Sequence, residues 1–380
     1  MRLAWFRSHS VAVADRLDPC ASVVRMLASH TRDEVTPANA HDFVWKQRHR
    51  PVDLCVFELD PSGDAAFIWP YLFRYPGVLV TSEASLHNGR AAQLEQQDRG
   101  ADYTAEFIFN EGHVPPTRNR RLPRGSWPMH RAAFAASRLV VVRDQALEAR
   151  MQAAHPQAQV RYVPLGIDAP ATRASASPAG TVRCAVFGAD RLDVARRAAA
   201  RAATADTRIE VTTGAREADI DACDIVLALT WPAHGESLMA TLAGLAAGKP
   251  VVLFDLEAAA RWPSLDPQTW RLRGPNGPST APIAITIDPR DEEHSLMLAV
   301  RRLAAEPGLR DSLGSAARRW SMENATLARA VEGFEAVLEE AAAITPAPKP
   351  ADWPAHLSAD GTRSARDVLD RFGVQIDLLS

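Results

Sequence analysis

The chain has 380 residues, of which 47% are hydrophobic and 23% are charged, and its formal net charge is −3. This composition is typical of a globular protein, and the length predicts two domains, because single cores stop growing at roughly 250–300 residues. A chain with a small negative net charge lacks the excess of basic residues that binds nucleic acid, so we expect no nucleic-acid partner.

The cysteines and the hydropathy indicate a protein of the cytoplasm. The spacing of the cysteines fits neither a disulfide framework nor a zinc site. The four are Cys20, Cys55, Cys184 and Cys223. No apolar run approaches the roughly 18 residues of a membrane span, and the N-terminus lacks the apolar core of a signal peptide. We therefore expect a cytoplasmic protein with, at most, peripheral membrane association.

The first half of the chain alternates buried apolar runs with helical patterns. Strands are predicted at residues 2–6, 52–59, 77–81, 138–142 and 160–163. Helices are predicted at residues 65–73, 129–136 and 144–154. Residues 99–127 contain several prolines and arginines without a clear period, which indicates a surface excursion. The alternation of strands and helices favours a doubly wound parallel sheet.

A second alternating series follows a segment, residues 169–180, that is rich in Ala, Ser and Pro, as linkers are. Its strands are predicted at residues 182–188, 209–211, 224–229, 251–254 and 283–287. Its last helices are predicted at residues 291–305, 309–321 and 325–343. No internal repeat of solenoid period is evident.

Three segments follow from this series. Residues 1–168 are expected to form one Rossmann-like domain and residues 169–345 a second. Residues 346–380 begin as a proline-rich strap, continue into a short terminal helix and are expected to pack back on the first domain. The expected apolar anchors of this tail are Leu369, Phe372, Val374 and Ile376.

The most informative segment is residues 232–252. A loop of small residues with Gly235, Glu236 and Ser237 follows a buried strand and opens a helix, which Gly248 ends before the next strand. A helix that begins at the carboxyl end of a parallel strand directs free N–H groups and a positive dipole end into the crevice, which favours a phosphate. An ordinary strand–helix–strand crossover with a polar cap explains the same pattern.

The Gly235-Glu236-Ser237 loop with Gly248-Lys249-Pro250 resembles the donor-binding loop of retaining GT-B glycosyltransferases of the GT4 kind. Residues 67–77, 162–168 and 292–343 are similar to other parts of these bacterial enzymes, so the resemblance covers most of residues 50–343. It implies the GT-B fold, in which two Rossmann-like domains face a cleft. The first would be the acceptor domain and the second the donor domain for a nucleotide sugar.

The resemblance implies a donor site on the second domain. Glu236 would hydrogen-bond the transferred sugar and act as a catalytic residue, while N–H groups at the helix start hold the diphosphate. The candidate donor-binding residues are Gly188, Arg191, His234, Gly235, Ser237 and Leu238. Arg196 and Arg197 are alternatives to Arg191, and each arginine is equally explained as a solvated helix residue. His234 is equally explained as a simple loop histidine.

In the first domain, relatives place a His-Asp pair after the strand that matches residues 77–81. This chain has Ser82-Glu83 and then His87 there. Glu83 would assist the reaction and His87 would bind an acceptor hydroxyl, so both are candidate catalytic residues. A helix start with Ser82 as the cap and Glu83 in the first turn explains the same residues. His9 is a further candidate for the cleft.

The chain also departs from the family. The acidic residue that holds the nucleotide ribose is replaced by Ala243, and such a carboxylate contributes roughly 1.5–3 kcal/mol per hydrogen bond. Residues 188–223 are expected to be short by one strand and one helix relative to the family. The aromatic rings of Trp69 and Tyr71 are expected in the core rather than against a sugar.

The activity that the resemblance implies is transfer of a sugar from a nucleotide diphosphate sugar to a glycan or another cell-envelope acceptor, with retention of configuration. No metal and no cofactor are required, and no Asp-x-Asp arrangement is present in a suitable loop. Two alternatives remain open. One is a GT-B scaffold that has lost catalysis and binds a protein or glycan partner, and the other is a GT-B-like sugar-phosphate enzyme such as an epimerase.

Overall fold

The computed structural model describes most of the chain. The described residues are 1–9, 17–18, 20–27, 29–60, 63–116, 127–168, 180–230, 235–256, 262–274, 281–358, 368–369 and 371–373. They form two parallel sheets with helices on both faces of each. The predicted fold class, two Rossmann-like doubly wound domains with a helical C-terminal region, is confirmed.

The first sheet has six parallel strands in the order β2-β1-β3-β4-β5-β6. The strands are β1 (Arg2–Phe6), β2 (Thr31–Val35), β3 (Leu54–Glu58), β4 (Val78–Thr81), β5 (Leu139–Val142) and β6 (Val160–Tyr162). The helices between them are α1 (Ala21–Met26), α2 (Ala40–His49), α3 (Ile68–Arg74), α4 (His87–Gln96), α5 (Gly100–Glu111), α6 (Arg131–Ala136) and α7 (Gln145–Ala154).

The second sheet has seven strands in the order β12-β11-β13-β10-β9-β7-β8. The strands are β7 (Thr181–Phe187), β8 (Arg208–Thr213), β9 (Ile225–Ala228), β10 (Val251–Phe254), β11 (Ser264–Leu265), β12 (Leu272–Arg273) and β13 (Ala284–Ile287). Its helices are α8 (Leu192–Ala202), α9 (Glu217–Ala222), α10 (Gly235–Ala246), α11 (Glu292–Ala305) and α12 (Pro307–Asn324), and α13 (Leu327–Ala343) follows them. All pairs are parallel except β11 with β12.

The first sheet is buried on both faces, because apolar side chains alternate between two cores along its strands. In β1, Ala4 and Phe6 join one core, whereas Leu3 and Trp5 join the other. Strands of this kind appear in a sequence as nearly continuous apolar runs. For this reason all ten strands predicted from apolar runs are present, with bounds that shift by a residue or two.

Helix α13 packs on the first sheet although it follows the second domain in the chain. Its apolar side chains, among them Phe334 and Leu338, are buried in the same core as Leu3 and Trp5. The interval 169–345 includes this helix in the second domain, whereas its contacts place it in the first. An amphipathic pattern marks the buried face of a helix and does not reveal which sheet covers that face.

The two connections between the domains cross at Gly166. A Cβ atom at this position would lie 2.4 Å from the carbonyl oxygen of Thr326 and 2.9 Å from Cβ of Ala330. The N–H of Ile167 donates to the carbonyl oxygen of Ala325 at 3.0 Å. Backbone therefore contacts backbone at the crossing, and only glycine leaves enough space.

Residues 350–358 pack against the first domain. The ring of Trp353 contacts those of Phe73 and Phe109, and Leu357 is buried in the same core. Among the expected anchors of the tail, Phe372 is 77% exposed, so it does not act as one. Val374 and Ile376 lie outside the described residues.

Helix α5 and strand β2 are among the elements that were not predicted from the sequence. Part of the expected excursion at 99–127 is helix α5, which ends at Gly112 with a φ of 77°. The edge strand β2 was missed because only Val35 of its five residues is fully buried. Residues 188–223 contain α8, the predicted strand β8 and α9, and their shortness relative to the family stays a prediction.

We expect Gly166→Ala to lower the free energy of unfolding by roughly 1–3 kcal/mol, because the added methyl group overlaps atoms of Thr326, Leu327 and Ala330 in the segment that returns to the first domain. Urea unfolding followed by circular dichroism measures the change. Gly308→Ala is the matched control, since a Cβ there meets no atom within 4 Å. Equal unfolding midpoints for the two variants would contradict the role of the crossing.

Candidate functional site

The second sheet reverses its strand order between β7 and β9. The connection from β7 leads to β8 on one side, whereas β9 lies on the other side, and doubly wound sheets bind ligands at such reversals. Gly188 follows β7 there with a φ of 123°, and a Cβ on it would lie 2.5 Å from the carbonyl oxygen of Leu229. The glycine predicted for the donor site therefore lies at this crevice.

Helix α10 begins after β9 and is fixed firmly in its domain. Its middle and end are buried on all sides between the sheet and the neighbouring helices α9 and α12. The buried apolar side chains are Met239, Ala240, Leu242, Ala243, Leu245 and Ala246. Because the first N–H groups of a helix have no partner within it, the start of α10 offers hydrogen-bond donors and a positive dipole end.

The predicted donor residues at the start of α10 are described only in part. Gly235 is the first residue of the helix, and Leu238 packs against the core of the second domain. His234 and the side chains of Glu236 and Ser237 lie outside the described part of the structure. Their roles stay predictions.

Arg191 already has carboxylate neighbours. Its Nε lies 3.3 Å from Oε1 of Glu292, and its Nη1 lies 3.6 Å from Oδ2 of Asp190. Burial raises the pKa of Glu292, and Arg191 opposes that rise. A diphosphate would therefore have to compete with Glu292 for this guanidinium group. Glu292 could not be predicted as the partner of Arg191, because it comes from a helix that is distant in the chain.

The alternatives to Arg191 are more exposed. Arg197 pairs with Glu293 at 2.9 Å, and Arg196 lies 3.8 Å from Asp193 on the same helix. Both side chains are more than half exposed on α8. Among the three arginines, Arg191 lies nearest in the chain to the end of β7, and it is the least exposed.

Ala243 lies in the apolar core of the second domain. A carboxylate at this position would be surrounded by apolar side chains and would need an ion partner to be tolerated. The ribose-binding carboxylate of the GT4 resemblance therefore has no counterpart at position 243.

Glu83 and His87 are both buried after strand β4. The N–H of Glu83 donates to Oγ1 of Thr81 at 3.3 Å, and its carbonyl oxygen lies 3.2 Å from Nε2 of His130. Burial lowers the pKa of His130 to about 3, so this ring is neutral and acts as a structural hydrogen-bonding group.

The ring of His87 has protein partners on both sides. Nε2 lies 3.0 Å from the hydroxyl of Tyr103, and Nδ1 lies 3.3 Å from Oδ1 of Asn88. Burial lowers the pKa of His87, and the edge of Phe107 contacts the ring. These contacts fix the start of α4. An acceptor hydroxyl would have to displace one of them to reach the ring.

His9 follows β1 and is largely exposed, with Nε2 4.0 Å from Oδ2 of Asp64. Trp69 lies in the core, as expected, and Tyr71 packs against that core and donates its hydroxyl to the carbonyl oxygen of Ala40. Neither aromatic ring is placed as an open platform for a sugar.

The first sheet has a reversal of its own between β1 and β3, since β1 leads to β2 on one side and β3 lies on the other. Arg7 follows β1 and Glu58 ends β3. These two residues are neighbours because Phe6 pairs with Phe57 in register. Nη2 of Arg7 lies 3.5 Å from Oε2 of Glu58.

Two further charges complete this group. Oδ2 of Asp18 accepts a hydrogen bond from Nη2 of Arg7, and its Oδ1 accepts from the N–H groups of Cys20 and Ala21 at the start of α1. Arg143 follows β5, and its guanidinium lies 4.8 Å from the ring centre of Phe334 on α13. We call Arg7, Asp18, Glu58 and Arg143 the strand-end ion cluster.

Glu58 titrates unusually in this cluster. Burial raises its pKa to about 7, and Asp18 adds to the rise, while Arg7, Arg143 and a hydrogen bond from the indole of Trp5 oppose it. Burial also raises the pKa of the neighbouring Cys20 thiol. A carboxyl group with a pKa near neutrality can give or take a proton under cellular conditions.

The strand-end ion cluster was not predicted, although the sequence contains a sign of it. Trp5, Val56 and Val141 point to one face of the sheet, and Arg7, Glu58 and Arg143 come two residues later in their strands. Two-residue periodicity therefore puts the three charges on that same face. The order of the strands, which the sequence does not state, decides that they meet.

The described residues contain neither a candidate membrane-spanning helix nor a candidate metal site. None of the described helices combines the length and apolarity that crossing a bilayer requires. Among the same residues, no group of three or more His, Cys, Asp and Glu side chains is placed to hold a metal ion.

Comparison with known proteins rests on structure alone. No family model matches the chain, and no curated protein matches it. Among solved structures, it is similar to WaaG, a glycosyltransferase involved in lipopolysaccharide biosynthesis, with 12% identity, a TM-score of 0.53 and coverage of 88% of this chain and 99% of that one. The chain has the GT-B fold.

Two other solved structures are similar in extent. The glycotransferase of kitacinnamycin is 15% identical with a TM-score of 0.48, and the match covers 89% of this chain and 99% of that one. A glycosyltransferase from Rickettsia africae ESF-5 is 8% identical with a TM-score of 0.49, and the match covers 90% of this chain and 99% of that one. At such low identity the likeness concerns the fold, and the narrower GT4 assignment stays a prediction.

We expect the stability of the protein to depend on pH through Glu58. Its folded pKa of about 7 exceeds the ordinary 4.5, so its contribution to the free energy of unfolding is complete below pH 4.5 and is lost as the pH rises through 7. Glu58→Gln cannot ionise. The free energy of unfolding of the wild type should therefore fall, relative to this variant, by up to roughly 3 kcal/mol over that range.

Urea unfolding of both proteins at several pH values measures this difference. Glu293→Gln serves as the control, because hydrogen bonds from Arg197 and Arg201 lower the pKa of Glu293, which therefore titrates below the range. The difference between this control and the wild type should not vary with pH. If the free energies of unfolding of the wild type and Glu58→Gln changed in parallel with pH, Glu58 would be ionised in the folded protein over the whole pH range.

Proposed function

We propose that the protein is a glycosyltransferase that moves a sugar from a nucleotide diphosphate sugar to an acceptor hydroxyl. The observation that carries this proposal is the crevice between β7 and β9, where Gly188 brings two strand ends into backbone contact and helix α10 begins. Free N–H groups and a positive dipole end at such a point suit a diphosphate. The GT-B fold supports the same activity by analogy.

One contact between the domains supports the proposal that the first domain binds the acceptor. Leu17, in the segment between β1 and α1, packs against the core of the second domain. The carboxyl edge of the first sheet, from which this segment departs, is therefore turned toward the second domain. A molecule bound at that edge would lie next to a donor bound at β7 and β9.

In the proposed reaction the bond between the sugar and the diphosphate breaks, and the diphosphate leaves with the electron pair. The acceptor oxygen forms the new bond to the sugar, and the proton of its hydroxyl passes to an oxygen of the departing diphosphate. The start of α10 and Arg191 would stabilise the negative charge on the leaving group, and Glu236 would hold the transferred sugar. Retention of configuration and a cell-envelope glycan as the acceptor follow from the GT4 resemblance.

A second candidate function is a GT-B scaffold that binds a protein or glycan without catalysis. Two observations favour it. Ala243 offers no acceptor for the ribose hydroxyls, and Arg191 is already paired with Glu292. Both features reduce the affinity expected for a nucleotide, and the two candidates therefore differ in nucleotide binding.

We expect nucleotide binding to depend on the diphosphate more than on the nucleoside, because the candidate donors of the site are N–H groups and an arginine. Calorimetric titration with a nucleoside diphosphate, its monophosphate and the bare nucleoside should show the largest loss when the β-phosphate is removed. Arg191→Gln should weaken diphosphate binding roughly tenfold or more, since it removes a charge-assisted hydrogen bond.

Arg197→Gln is the matched control for this titration, because Arg197 also pairs with a carboxylate but lies on the exposed side of α8. It should leave the affinity unchanged. Equal affinities for all three compounds would contradict the diphosphate site. If none of them binds with any base, with or without Mg²⁺, the non-catalytic scaffold becomes the better proposal.

We expect Glu236→Gln to reduce turnover by roughly 10²-fold, because it would remove a polar contact to the transferred sugar. Turnover is measured as release of nucleoside diphosphate from the nucleotide sugar that binds most tightly. The melting temperature should stay the same. Glu293→Gln, an exposed carboxylate of the same domain, is the control. An unchanged rate in Glu236→Gln would remove Glu236 from the site.

A further inference from the structure

The crevice between β1 and β3 has no role in the proposed donor chemistry. It is nevertheless the point of the first sheet where ligands of doubly wound proteins bind, because the strand order reverses there. The acceptor residues suggested by the sequence, Glu83 and His87, follow β4 instead. Arg7 and Glu58 occupy the crevice itself.

Arg7 carries donors that the protein leaves unsatisfied. Its side chain is 2% exposed, and Nη2 contacts both Asp18 and Glu58. Its Nε and Nη1, in contrast, have no hydrogen-bond partner among the described residues. A buried charged donor without a partner costs free energy, and proteins keep such groups where a ligand or an ordered water satisfies them.

The carboxylates of the strand-end ion cluster are its accessible part. The side chains of Asp18 and Glu58 are 21% and 19% exposed, whereas Arg7 and Arg143 are buried. A ligand entering from solvent would therefore meet acceptor oxygens first and arginine donors behind them. This combination matches hydroxyl groups, each of which both donates and accepts.

The charge of the cluster excludes an anionic ligand. When Glu58 is ionised, two arginines are balanced by two carboxylates. The carboxylates stand on the exposed side, so a phosphate or carboxylate group would be repelled before it reached the guanidinium groups. Hydroxyl groups of an uncharged sugar face no such repulsion.

We propose that Arg7, Asp18 and Glu58 bind two neighbouring hydroxyl groups of an uncharged sugar unit in the acceptor. This inference deepens the proposed function and rests on it. Leu17, which directly precedes Asp18, packs against the second domain, so a sugar held in this crevice lies beside the donor domain. Arg143 supplies the balancing charge without reaching the sugar.

The test measures sugar binding by saturation-transfer NMR. The neutral probes are glucose, galactose and N-acetylglucosamine, and the charged probes are glucose 6-phosphate and glucuronate. At least one neutral sugar should bind the wild type, and the charged probes should bind at least tenfold more weakly. Arg7→Lys, which keeps the charge but loses the forked donors, and Glu58→Gln should each weaken neutral-sugar binding at least tenfold.

Asp33→Asn is the matched control, because Asp33 pairs with Arg2 at the opposite end of β1. It should bind the neutral sugars as the wild type does. Thermal unfolding of each variant separates folding from binding. If Arg7→Lys does not fold, Glu58→Gln decides the question. Variants that change the melting temperature but keep their sugar affinity would overturn the proposal, and so would tighter binding of a charged probe.

Calorimetry with a nucleoside diphosphate separates this proposal from the proposed function. If the diphosphate binds and no neutral sugar does, the sugar subsite is overturned and the donor site stands. If neutral sugars bind through Arg7 and Glu58 but no diphosphate binds, the subsite is supported and the glycosyltransferase assignment fails. The variants at Arg7 and Glu58 should leave diphosphate affinity unchanged.

Discussion

The arrangement of the two domains depends on the backbone contact at Gly166. The chain passes from the first domain to the second beside the turn that sends it back, and the carbonyl oxygen of Thr326 occupies the space of a side chain at position 166. Because the crossing is so close, α13 leaves the second domain in a fixed direction and buries Phe334 against the first sheet. The relative position of the two crevices follows from this contact.

The strand-end ion cluster lies close to α13, since Arg143 contacts the ring of Phe334. Buried ion groups of this kind are weak sources of stability, because the loss of hydration offsets most of the attraction. The pKa of Glu58 is raised by the same loss of hydration. Natural proteins depart from a purely apolar core mainly where function requires it, and here the departure lies at the sheet position where a ligand is expected.

The fold was predictable from the sequence to the extent that burial on both faces produces apolar runs. Strand β2 was not predicted, because an edge strand needs fewer apolar residues. The sheet on which α13 packs was not predicted either, because helical periodicity does not identify the partner of a helix. At the site, Gly188 was predictable from its place after a strand. Arg7 and Glu58 were not, because they belong to segments some fifty residues apart in the chain and meet only through the strand order.

The two crevices differ in what they offer a ligand. Helix α10 is buried along most of its length, so the N–H groups at its start are held in place before a ligand arrives, and such preorganised groups are effective in stabilising developing charge. Arg191 is paired with Glu292, so a diphosphate would have to displace that carboxylate to bind the guanidinium group. The proposed donor crevice would therefore depend on fixed backbone dipoles more than on mobile charges, and the carboxylates of the proposed acceptor crevice would not compete with it for the diphosphate.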